Sequence, residues 1–185
     1  MNKNPEQTEQ TRKNIMDAFL KIARKKGLNK TSVSNVMKAA GYNRGTFYVY
    51  FTDLNDLIFQ IEQEILQNYQ HSMEIIIEEL HHLNFETASQ MVAEFIMKND
   101  ETIFLFLKED SGFITRVTNC MSDKIVEFYS ELKNNPYQQY IIYAFASSVV
   151  GMLMYWDETG RKVSINLVIK ELQKIWVAGL TRMQK

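Results

Sequence analysis

The sequence predicts an all-α protein of nine or so helices, and three observations carry that expectation. Apolar residues recur with a period near 3.6 along nearly the whole chain, and no stretch sustains a period of 2. Gly (7) and Pro (2) are too scarce among 185 residues to supply the turns of a sandwich or barrel. Breaks are suggested at Leu83 to Phe85 and, with helix stop signals, at Gly27, Gly41, Asp110 to Gly112, Asn134-Asn135-Pro136 and Thr159-Gly160. With 45% apolar and 12% aromatic residues the chain can bury a core, which excludes wholesale disorder.

The first helix is expected from Thr8 to Lys26, with Ile15, Ala18, Phe19, Ile22 and Ala23 on one stripe. Lys25 and Lys26 suit its C-terminal dipole, and Gly27 suits the residue after it. Ser32 caps a short second helix whose apolar face is Val33, Val36, Met37 and Ala40, and Gly41 stops it. Asn43 caps a third, Arg44 to Phe51, with Phe47 and Phe51 pointing inward. Two short helices joined by a three-residue Gly-containing turn read as a helix-turn-helix over residues 32–51. Asp53, with Asp56 three residues on, caps a long fourth helix to His82, a possible rigid tie between the two parts of the chain. Five more helices are expected near 86–99, 101–108, 112–133, 137–157 and 164–183. The domain boundary is expected at 52/53.

Charge divides the chain in the same place. Residues 1–51 hold ten Lys/Arg and three Asp/Glu, a balance of +7, whereas residues 52–185 sum to −8. A basic head on an acidic body is the layout of a polyanion binder, or of a merely solvated basic face. The third helix favours the binder. With Phe47 and Phe51 inside, its outer arc carries Arg44, Gly45, Thr46, Tyr48, Val49 and Tyr50. Tyr and Thr hydroxyls reach phosphates, Arg takes a guanine edge, and Val49 or the Thr46 methyl meets a thymine methyl. Thr31, Ser32 and Ser34 open the second helix, whose free N–H groups favour a phosphate. With Asn43, these ten residues are the candidate DNA-binding set.

Residues 9–69 resemble the N-terminal domain of TetR/AcrR-type transcriptional regulators. The resemblance rests on Gly27-Leu28, Thr31-Ser32-Val33, Ala40-Gly41-Tyr42, and above all Arg44-Gly45-Thr46-Phe47-Tyr48-Val49-Tyr50-Phe51 followed by Leu57. It implies a helical ligand-binding and dimerisation body after the head. It also implies a homodimer on a palindromic double-stranded DNA operator, acting as a repressor in the bacterial cytoplasm and released by a small effector. One position departs: where the family often has a phosphate-holding lysine, this chain has Leu54, and Arg12 and Lys13 are the candidate substitutes.

Residues 134–156 contain no charged residue, so a membrane span must be weighed. The apolar part, Tyr140 to Trp156, is short, includes Ser147 and Ser148, and has poor basic flanks (Lys133 on one side, Asp157-Glu158 on the other), which favours a helix buried nearly all round. Ala144, Ser147, Ser148 and Gly151 make a slim face for close helix approach. Ile165, Val168, Ile169, Leu172, Trp176 and Gly179 form a stripe on the last helix. Two such helices per subunit would build a four-helix dimer seam.

The resemblance implies a cavity in the body, and its candidate lining is Tyr69, Met73, Phe104, Phe113, Met121, Tyr143, Met152 and Trp156, a set suited to an apolar or aromatic effector. His71, Glu74, Glu78 and His82 share a helix face, which reads as a solvated surface, and no metal or other cofactor is expected. The lone Cys120 excludes a disulfide framework, suits a reducing cytosol and reads as a small buried residue. No GxGxxG, P-loop or HExxH occurs, so an enzyme is not expected. Met1 to Arg12 is polar and lacks a signal region. The expected function is a ligand-responsive DNA-binding regulator. The alternatives are a DNA-binding adaptor whose body recruits a protein, and a small-molecule carrier that has lost DNA binding.

Overall fold

The computed structural model describes residues 5–82, 84–128 and 136–183, with side chains described from residue 6 to residue 175 of those ranges. They form eight helices: α1 (Pro5–Lys26), α2 (Val33–Ala40), α3 (Arg44–Tyr50), α4 (Leu54–His81), α5 (Phe85–Glu109), α6 (Ser111–Phe128), α7 (Pro136–Glu158) and α8 (Ile165–Met183). A single 3-10 turn, Leu28–Lys30, follows α1, and no strand occurs among the described residues.

The count is eight because the break expected between residues 99 and 101 does not occur. Asn99 donates its side-chain amide to the Phe95 carbonyl one turn back, at 2.8 Å, and Asp100 is held by Arg161. With no Gly or Pro there, the helix runs on. The stretch 129–133, assigned above to the seventh helix, lies outside the described residues.

The chain divides into two compact units, Met1–Ile65 and Leu66–Lys185, so the division falls inside α4 rather than at its start. The first turns of α4 stay with the head because Leu57 and Ile61 are buried there and because Arg12 of α1 reaches Gln60 and Glu64.

In the first unit α1 packs on α2 and α2 on α3 around Ile15, Phe19, Val36, Met37, Phe47 and Phe51. Gly41 ends α2 at φ 77°, a left-handed conformation that costs other residues strain. Tyr42 accepts a hydrogen bond from Asn14 at 3.0 Å, which ties the turn to α1. Asp53 caps α4 by accepting the Asp56 N–H at 2.9 Å, and Asp56 reaches back to the Thr52 N–H at 2.7 Å. That backbone hydrogen bond, with help from Gln60, lowers the Asp56 pKa.

In the second unit α6 packs on α7 and α5 on α8. One side of α7 is core: Ile142, Ala146, Val149, Val150, Leu153 and Trp156. Its other side is exposed along Tyr140, Ala144, Ser147, Gly151 and Tyr155, so within one chain this helix is half-buried rather than enclosed all round. No helix among the described residues is long and apolar enough to cross a membrane.

Candidate functional site

α3 begins at a strong cap. The Asn43 side-chain oxygen accepts the Thr46 N–H at 2.9 Å and the Thr46 hydroxyl at 3.1 Å. A Cβ on Gly45 would come within 3.3 Å of that oxygen, so glycine keeps the cap uncrowded. Phe47 and Phe51 anchor the helix, fully buried, with ring centroids 5.3 Å apart. Tyr48 is then 52% exposed and Val49 63% exposed, and Arg44 and Gly45 lie on the same open side. The guanidinium of Arg44 donates to the Tyr48 hydroxyl at 3.2 Å.

Three candidate residues are placed otherwise than expected. Tyr50 is half-buried with its hydroxyl enclosed, because it lies near Phe47 and Phe51 on the helix circumference. Thr46 is half-buried and spends its hydroxyl on the side-chain oxygen of Asn43, which caps α3 as expected. Thr31 is buried, and its hydroxyl donates to the Gly27 carbonyl at 3.3 Å. Ser32 caps α2 by accepting the Asn35 N–H, and both Ser32 and Ser34 are exposed. Arg12 is no substitute for the lysine missing at Leu54: it is committed to Glu64 at 2.6 Å, Gln60 at 3.0 Å and Glu9 at 3.2 Å. Lys13 is exposed. The open arc of α3 is therefore Arg44, Gly45, Tyr48 and Val49.

On the body, Ala144, Ser147 and Gly151 are exposed and Ser148 is half-buried, so the slim face of α7 points away from its own core. α8 differs from expectation. Ile165 and Ile169 are buried in the chain's own core, while Val168 and Leu172 are half-buried. Among the described residues of α8 the exposed large apolar side chains are Leu167 and Ile175, which the sequence reading did not select. The Trp176 and Gly179 side chains lie outside the described residues.

Of the pocket candidates, Met73, Phe104, Phe113, Met121 and Trp156 are buried, Tyr69 and Met152 are half-buried, and Tyr143 is exposed. The Tyr69 ring lies 5.6 Å from Phe95, and its hydroxyl is enclosed with no hydrogen-bond partner among the described residues. Burial pushes that hydroxyl pKa up, as does the neighbouring Cys120. Tyr143 instead lines an open groove of about 490 Å³ with Asn119, Ser122, Asp123, Val126, Glu127 and Gln139, a more polar setting than expected. Burial also pushes the Cys120 thiol up, which disfavours a reactive thiolate. Glu74 pairs with Lys124 at 2.8 Å, and no His/Cys/Asp/Glu metal cluster occurs among the described residues.

One cluster was missed. Arg161 sits at φ 55° just after Gly160, with its guanidinium 4.9 Å from the Phe104 ring centre and 5.0 Å from that of Trp156. It is bidentate to Asp100 at 2.6 and 3.1 Å and bonds Asp157 at 2.7 Å. Lys108 also pairs with Asp157, and the Trp156 indole N–H donates to the Val163 carbonyl at 2.8 Å. Phe104 and Trp156 thus pack a charged latch between α5 and the turn from α7 to α8.

Comparisons with known proteins agree with this geometry. Residues 15–61, which span α1 to the first turns of α4, match the bacterial regulatory proteins of the tetR family. An uncharacterized HTH-type transcriptional regulator, YvdT of Bacillus subtilis, is 38% identical over 42% of this chain, and the match spans 38% of that protein's length. A TetR transcriptional regulator from Streptococcus agalactiae superposes with a TM-score of 0.67 at 18% identity, covering 92% of this chain and 95% of the other. FadR from Bacillus subtilis in complex with stearoyl-CoA superposes at 0.65 with 16% identity, covering 90% and 97%. These two likenesses concern the fold. Residues 15–61 are thus similar to the tetR family of bacterial regulatory proteins, and the eight helices share the fold of solved TetR-type regulators.

Proposed function

We propose that the chain is a homodimeric transcriptional repressor that binds a palindromic operator and is released by a largely apolar effector. The open arc of α3 carries the reading. A helix of seven residues that buries Phe47, with Phe51 buried at its C-cap, while exposing Arg44, Tyr48 and Val49 suits entry into a major groove. The +7 charge of residues 1–51 supplies attraction to phosphate. The slim exposed face of α7, with Leu167 and Ile175 of α8, supports pairing with a second copy. Pairing sets two recognition helices about one duplex turn, roughly 34 Å, apart. An effector acts through its different affinity for the spacings that do and do not fit DNA.

For the effector, the supporting observations are the enclosed Tyr69 hydroxyl and the stearoyl-CoA bound by Bacillus subtilis FadR. A long-chain acyl thioester offers an apolar tail and a carbonyl that can accept from Tyr69. The test is fluorescence anisotropy on a palindromic duplex from the protein's own upstream region, with and without stearoyl-CoA. Stearoyl-CoA is expected to raise the Tm and release the DNA. Tyr69→Phe is expected to leave the Tm of the ligand-free protein unchanged or raised, since an unpartnered hydroxyl is removed, and to weaken stearoyl-CoA binding about five- to tenfold. Full affinity in Tyr69→Phe would remove the hydroxyl from the account. The adaptor reading draws on the close packing of Phe106 on Phe113, both fully buried with ring centroids 5.3 Å apart. Unchanged Tm and DNA binding with stearoyl-CoA would favour it.

A further inference from the structure

We infer that Tyr48 is a positioning residue that holds Arg44 as the reader of one guanine in each half-site. The inference rests on the proposed docking of α3 in a major groove. Arg12, Arg116 and Arg161 each meet a carboxylate, at 2.6 to 2.7 Å. Arg44 makes no ion pair among the described residues; its partner is a neutral phenol one helical turn away. That partner orders the side chain without cancelling its charge. The guanidinium carbon lies 6.0 Å from the Tyr48 ring centre, at the outer edge of cation–π range, so the hydroxyl contact at 3.2 Å sets the geometry.

A long exposed arginine ordinarily gives up much of its rotamer freedom when it docks. Tyr48 removes part of that cost in advance, because its own ring is fixed edge-on against Phe47 at 5.4 Å. Phe47 is fully buried, so the chain of support runs from the core to the guanidinium. Only one N–H of Arg44 is spent on the hydroxyl, which leaves a two-donor edge for paired acceptors. Guanine offers such a pair in the major groove, O6 and N7. A phosphate also offers one, but Arg44 is the first residue of α3, and the N-terminal residues of a recognition helix face base edges.

The experiment is selection from a random duplex library followed by sequencing, run with the full chain, with Arg44→Ala and with Tyr48→Phe. The wild type is expected to select a palindrome with one guanine at a fixed place in each half-site. Arg44→Ala should lose that preference alone. Tyr48→Phe keeps the ring and should reduce the same preference about five- to tenfold while the other positions keep theirs. A wild-type guanine preference in Tyr48→Phe, or a loss spread evenly over all positions, would overturn the inference while leaving operator binding intact. Failure of the wild type to select any sequence would sink the docking proposal and this inference together.

Discussion

If the proposed dimer forms through α7, Gly151→Leu is expected to convert it to a monomer by light scattering and to weaken operator binding by at least about 100-fold, because two linked half-site contacts become one. The monomer should stay folded. Beyond its chain neighbours and the local backbone of α7, a Cβ at Gly151 meets no described atom within 4 Å, and Gly151 is exposed. Leucine in a helix interior is favoured over glycine by roughly 0.5–1 kcal/mol. The added bulk is therefore felt only where a second copy would press against Ala144, Ser147 and Gly151. Ser148→Phe should act likewise, although Ser148 is half-buried and its hydroxyl donates to the Phe145 carbonyl at 2.7 Å. A stable dimer in Gly151→Leu would move the seam elsewhere.

Arg161→Ala is expected to lower the Tm by about 6 °C, measured by calorimetry, a loss on the order of 2 kcal/mol. Removing one member of a buried ion pair typically costs more, about 3–5 kcal/mol, because the carboxylates left behind lose their partner. The Arg161 side chain is 34% exposed, so the expected loss is smaller. Arg161→Lys should recover only part of it, since an ammonium cannot hold Asp100 in two places and stack between Phe104 and Trp156. The same cluster sets an acid limit. Burial pushes the Asp157 carboxyl up, but hydrogen bonds and charge from Lys108 and Arg161 outweigh it and leave its pKa below the ordinary 3.8. Its contribution to stability is thus present above pH 3.8 and is lost as pH falls through the lowered folded value. Arg161→Ala should show a shallower loss of Tm below pH 4 than the wild type. An unchanged Tm in Arg161→Ala would mean that the latch is not structural.

The head was legible because its determinants are local. Asn43, Gly41 and the Phe47–Phe51 spacing fix α3 within eleven residues, and the structure has the same cap, stop and anchors. Tyr50 was misplaced by a small angle: at about 100° per residue it lies only about 60° from Phe47 around the helix, at the edge of the buried arc. The body was less legible because its choices are long-range. α8 carries apolar residues on two stripes, and periodicity cannot say that Ile165 and Ile169 face the chain's own core while Leu167 and Ile175 do not. Asp100 and Arg161 are 61 residues apart, so neither announces the other. The Asn99-Asp100 pair reads as a break until Arg161 is seen to occupy the aspartate.

The central claim is that the exposed side of α3, duplicated by a second chain, grips duplex DNA through phosphates and base edges. Anisotropy on the palindromic duplex at 50 and 200 mM salt tests it most directly. The account predicts two chains per duplex and an affinity that falls on the order of 10³-fold between those salts. Equal affinity at both, or equal affinity for a single half-site, would contradict it.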